Sequence, residues 1–88
     1  MQASEVMDSL KDYFVREVLD GREAGLDAET PLIEWGLLNS MEIMKLIRFI
    51  EDRYNVTVPG NKVVMANLKD LTALSALVME LALEQGHG

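Results

Sequence analysis

The 88 residues contain no cysteine, which excludes disulfides, zinc ribbons and thiol catalysis and is compatible with a reducing compartment. Histidine occurs once, as His87 in the tail, so a Ser–His–Asp relay has no imidazole fixed in a site. Basic residues are few: 8 Lys and Arg stand against 15 Asp and Glu, a net charge of −7. That balance opposes nucleic acid, whose binders need a basic patch to displace counterions, and it opposes an anionic membrane surface. No apolar run approaches the ~20 residues of a membrane span. The amino terminus lacks the basic start and apolar run of a signal peptide. Only two prolines and no low-complexity stretch interrupt the chain. With 49% hydrophobic and 26% charged residues, the balance is that of an ordered, soluble domain. One cytoplasmic, monomeric domain spanning residues 1–88 is expected, with a frayed tail over 86–88.

Metal and phosphate chemistry are also missing from the pattern. The acidic region from Asp20 to Glu34 lacks the alternating-acid order of a calcium loop with its terminal Glu, and reads as a solvated loop. Gly21, Gly25 and Gly36 fall in no phosphate-cradle spacing. The Glu51–Asp52 pair sits on exposed helix positions, where nothing shifts a carboxyl toward acid–base work. The residues describe a chain handled by enzymes, not one that is an enzyme.

What is present is helical periodicity. Residues 4–19 carry Met7, Leu10, Phe14 and Val18 at three- and four-residue spacing, with Ser4 as the expected cap and Asp20-Gly21 as the stop. A long connection over 20–38 follows, with Leu26, Leu32, Ile33, Trp35, Leu37 and Leu38 expected to pin it onto the core; loops of this length are often functional. The clearest helix spans 40–54. At about 100° per residue, Ile43, Leu46, Ile47, Ile50 and Tyr54 share its inner face. Met41, Lys45, Arg48 and Asp52 lie nearly opposite, with Met44 on the flank. Residues 55–59 read as an extended link, because Val56, Thr57 and Val58 are β-branched and precede Pro59. A short helix is expected over 61–67, presenting Val63, Val64 and Met65. A last helix is expected over 72–85, capped by Thr72, with Leu74, Leu77, Val78 and Leu81 inside. The fold class is therefore all-α: a small four-helix bundle, three long helices and one short, with a long loop between the first two.

The segment Trp35-Gly36-Leu37-Leu38-Asn39-Ser40-Met41-Glu42 puts a serine at the first turn of an amphipathic helix, directly after the long loop. This resembles the phosphopantetheine attachment motif of acyl and peptidyl carrier proteins, usually Asp-Ser-Leu or Asp-Ser-Met. The preceding Gly-Leu-Leu looks most like discrete aminoacyl carriers, including D-alanyl carrier proteins. The similarity covers nearly the whole chain in element order and length.

The resemblance implies that Ser40 accepts 4′-phosphopantetheine from coenzyme A through a magnesium-dependent phosphopantetheinyl transferase. Adenylating or acyl-transferring enzymes would then load the arm, and a downstream synthase or transferase would unload it. A helix start agrees physically, since its unpaired amides and partial positive charge favour an anionic phosphodiester. The missing cysteine is consistent, because the working thiol would arrive with the cofactor. Asn39 departs from the family's Asp: it keeps capping ability and loses the charge. The outward stripe also departs from the strongly acidic second helix of many fatty-acid carriers, and Met41, Met44, Lys45 and Arg48 are read as a partner-binding face. The cargo is an aminoacyl or acyl group, with a natural-product pathway favoured over D-alanine transfer. The rival reading is an unmodified helical adaptor that binds a protein through that same face.

Overall fold

The computed structural model describes residues 2–21 and 25–86. His87 and Gly88, where an inert histidine and a frayed end are expected, lie outside them. All the regular secondary structure of the described residues is helical, with α1 at Ala3–Glu17, α2 at Ser40–Tyr54, α3 at Met65–Leu68 and α4 at Leu71–Glu84. A single 3₁₀ turn, Gly60–Lys62, precedes α3. No helix here is long and apolar enough to cross a membrane.

Helix α4 is the spine of the core. Leu71, Leu74, Leu77, Val78, Leu81 and Ala82 are buried along it. Its most extensive packing is against α1, which contributes Val6, Leu10, Tyr13 and Phe14. The buried stripe of α1 thus starts at Val6 and includes Tyr13, while the expected members Met7 and Val18 are half-buried at its edges. Ser75, a buried hydroxyl on α4, donates to the Ala3 carbonyl at 3.3 Å and holds the start of α1 against it.

Two cap assignments are corrected. Ser4 lies inside α1, whose N-cap is Gln2 without a side-chain hydrogen bond. Thr72 lies inside α4, whose N-cap is Asp70; the Asp70 carboxylate accepts the Ala73 N–H at 2.8 Å. Asp70 wins because it is the residue with the extended backbone that an N-cap requires. Thr72 instead uses its hydroxyl and its amide on the Ala28 carbonyl, at 3.2 and 3.1 Å. That contact pins the long loop to the head of α4.

The link after α2 is extended, as its β-branched residues imply, and Val56 and Val58 are buried. Among the described residues it has no strand partner, and side chains replace one. Gln85, 28 residues away, accepts the Thr57 N–H at 2.8 Å and donates to the Thr57 carbonyl at 2.7 Å. The Glu51 carboxylate accepts the Val58 N–H at 2.9 Å. Asn55 ends α2 in the left-handed conformation, a cap that Asn tolerates better than most residues.

Candidate functional site

The site is built by the last third of the loop. Residues 31–35 make one helical turn, closed by Gly36 at φ 77°. The Leu37 N–H donates to the Leu32 carbonyl at 2.9 Å and the Gly36 N–H to the Ile33 carbonyl at 3.1 Å. That pairing is the Schellman closure, and its left-handed position is the reason for a glycine there. Leu32 is fully buried and its N–H reaches the Lys69 carbonyl at 2.9 Å, so the turn is hooked onto the α3–α4 junction. Leu38 is buried as well. Trp35 is not a pin: it points away from the core and is 54% exposed. One turn can aim only part of its residues inward, and Leu32 takes that place.

With Leu38 fixed in the core, the next two residues must emerge at the surface. Asn39 is extended and caps α2: its Oδ1 accepts the Glu42 N–H at 2.9 Å, and its carbonyl accepts the Ile43 N–H at 2.8 Å. Ser40 is the first helical residue and is exposed. The ordinary structural role for a serine here, capping the helix, is therefore filled by Asn39, and the Ser40 hydroxyl is left over at a helix start. An accessible alcohol beside unpaired amides suits a phosphate ester.

The outward face of α2 begins at the same place. Met41 and Met44 are 68% and 70% exposed, and Lys45 and Arg48 are exposed. With Met44, Ile47 and Glu51, the two cations wall a shallow groove of about 310 Å³. The opposite face carries Leu46 and Ile50, both fully buried. The expected inner positions Ile43, Ile47 and Tyr54 are half-buried shoulders packed against the core, so the buried stripe of α2 is narrower than the periodicity implies. A second groove, about 400 Å³, lies between the loop and α3, lined by Pro31, Ile33, Glu34, Met65, Ala66 and Lys69. Met65 is exposed beside it, as expected of the short helix, but a cleft across two segments has no signature in local periodicity.

Glu42 closes the first turn of α2. One of its oxygens lies 3.5 Å from the Lys45 ammonium, and the other is buried without a hydrogen-bond partner. Below it, Tyr13 stacks on Phe49 at 4.5 Å between centroids. Burial first, then the carboxylates of Glu42 and Glu17, raise the Tyr13 phenol above its ordinary 10.0. A raised folded-state value means the native protein holds that proton more tightly. The contribution is present in full below about pH 10 and is lost as pH rises through the folded value. In alkaline denaturation series, Tyr13→Phe should flatten the fall in stability above pH 10 while leaving the slope near neutrality unchanged.

Three comparisons bear on this arrangement. The family described as "Phosphopantetheine attachment site" matches residues 7–78. The chain is 29% identical over 79 residues to the probable acyl carrier protein PigG of Serratia sp. (strain ATCC 39006), covering 90% of this chain and 91% of that protein. It also superposes on a chain from a solved structure described as "Crystal structure of FAD-dependent dehydrogenase", with a TM-score of 0.74 and 28% identity, over 80% of this chain and 99% of that one.

Proposed function

The chain belongs to the phosphopantetheine attachment site family, and from that premise we propose that Ser40 bears the arm of a discrete carrier serving a natural-product type pathway. As a carrier protein it is not itself catalytic. Its cofactor is covalent 4′-phosphopantetheine, which supplies the thiol on which cargo travels as a thioester. The observation that carries the serine assignment is the division of labour at the head of α2: Asn39 caps, and Ser40 stands exposed with its hydroxyl uncommitted. In the modification, the Ser40 oxygen forms the new bond to phosphorus and displaces adenosine bisphosphate from coenzyme A. Its proton leaves to a group on the transferase.

The remaining assignments rest on the same site. The cargo is an aminoacyl or acyl group, and an adenylating or acyl-transferring enzyme loads it. The similarity to probable acyl carrier protein PigG supports a biosynthetic setting. The likeness to a chain from a structure described as an FAD-dependent dehydrogenase makes a flavin enzyme acting on tethered cargo a reasonable partner to assay first. Met41, Met44, Lys45 and Arg48 are the surface that such enzymes meet. Intact mass after incubation with coenzyme A and a broad-specificity transferase tests the reading: one added phosphopantetheine per chain is expected, and no addition would favour an unmodified adaptor.

Asn39 tunes this step. Asn39→Asp retains the acceptor for the Glu42 amide and adds a negative charge at the positive end of α2. Stability should be unchanged or higher by up to ~1 kcal/mol, and a time course by mass spectrometry should show faster modification. Equal or slower modification would mean that the missing charge is no handicap.

A further inference from the structure

We propose that the arm-proximal face of α2 docks a partner enzyme whose surface is acidic around an apolar socket, the reverse of what the chain's net charge of −7 would select. The inference rests on the carrier reading and names the chemistry of its partner. Arg48 sits at the middle of the outward face, opposite Leu46 and Ile50, and Met41, Met44 and Lys45 surround it within the first turns after Ser40.

Of the three acidic groups of this helix, two are half-buried and engaged and the third lies beyond the cations. Glu42 is half-buried and lies against Lys45 at 3.5 Å, with 61% of the lysine side chain still exposed. Glu51 is half-buried, and one of its oxygens is taken by the Val58 amide. Asp52 is exposed, but it lies one turn beyond Arg48, on the side away from Ser40. What reaches solvent around the two methionines is therefore positive. Elsewhere the balance is negative: α1 carries Glu5, Asp8, Asp12 and Glu17 against Lys11 and Arg16, and α4 carries Glu80 and Glu84 with no basic residue.

A partner approaching the arm along α2 thus meets two flexible apolar knobs and two cations. Methionines fill sockets of adjustable shape. The cations reward carboxylates at the rim and repel basic surfaces, so they govern encounter and choice of partner.

Long-range and local charge make opposite predictions, which makes the test sharp. Two synthetic amphipathic helical peptides are titrated into the isotopically labelled chain, with identical apolar faces and either Glu or Lys on their flanks. Amide shifts report where each binds. The Glu peptide should shift residues 41–48 and bind about tenfold more tightly there than the Lys peptide, corresponding to ~1.4 kcal/mol. High salt should shrink the gap. Lys45→Glu with Arg48→Glu should reverse the preference, and Lys45→Gln with Arg48→Gln should erase it if the reversed variant fails to fold. Asp52→Asn should strengthen the Glu peptide's binding. Tighter binding of the Lys peptide to this face would overturn the proposal. So would shifts confined to the Ile33–Met65 groove, or no shift from either peptide at millimolar concentration. Intact mass of the same samples after coenzyme A and transferase reports on Ser40 separately, so failure of the attachment site and failure of the docking chemistry are told apart.

Discussion

Ser40→Ala should abolish the addition of phosphopantetheine while leaving the fold and its stability nearly untouched. Both halves of that result follow from the head of α2. The Ser40 hydroxyl makes no hydrogen bond that holds the helix start, because Asn39 supplies the side-chain acceptor for Glu42 and the carbonyl for Ile43. Alanine is also the better helix former at an exposed helical position. The thermal midpoint should therefore match the wild type within the ~0.5 kcal/mol typical of a neutral surface change. The mass gain should fall from complete to none, since no nearby residue replaces the alcohol. Asn39→Ala supplies the converse. It should lose ~1 kcal/mol, the usual worth of an N-cap, and still accept the arm on Ser40. Modification of the Ser40→Ala chain would move the attachment point elsewhere. A large stability loss in that variant would mean that serine, not asparagine, holds the helix.

The extent of α2 is legible in the sequence because one dense stripe of large aliphatics sits at helical spacing over its full length. The Gly36 to Ser40 run is legible for a related reason: each residue has one dominant local demand. Gly36 takes the left-handed position, Leu38 the core, Asn39 the cap and Ser40 the surface. Where two residues could meet a demand, sequence reasoning chose wrongly. Asp70 and Thr72 can both cap, and only the backbone conformation at Asp70 decides between them. In α1, Met7 and Val6 both continue the apolar spacing, and the approach of α4 places Val6 inside. Trp35 misled through its size, since hydrophobicity says nothing about which side of a single turn faces inward. The clasp between Gln85 and Thr57 joins residues too distant for any local pattern to reveal.

Leu46→Ala should be among the most damaging substitutions in α2. Leu46 is fully buried on the side of α2 that faces the bundle, where an alanine leaves a cavity lined by residues that relax only in part. Such truncations cost ~2–5 kcal/mol. A domain of this size has roughly 5–10 kcal/mol in hand, and each lost kcal/mol lowers its melting point by about 4–8 °C. The variant should melt at least ~8 °C early, and at the upper end of the range it would be partly unfolded at growth temperature. Ile47, next in sequence and part of the expected inner stripe, is a half-buried shoulder. Its truncation removes less apolar area from the interior and should cost about 1 kcal/mol. Lys45→Ala, at an exposed position on the far side, should stay within ~0.5 kcal/mol. The order of these three neighbours measures the rotation of α2 about its own axis. Equal losses at Leu46 and Ile47 would turn the helix by roughly half a residue step, about 50°. That turn would carry Met44 to the edge of the outward face and centre the face on Met41, between Arg48 and Lys45, so a melting experiment on the core also tests the geometry of the surface.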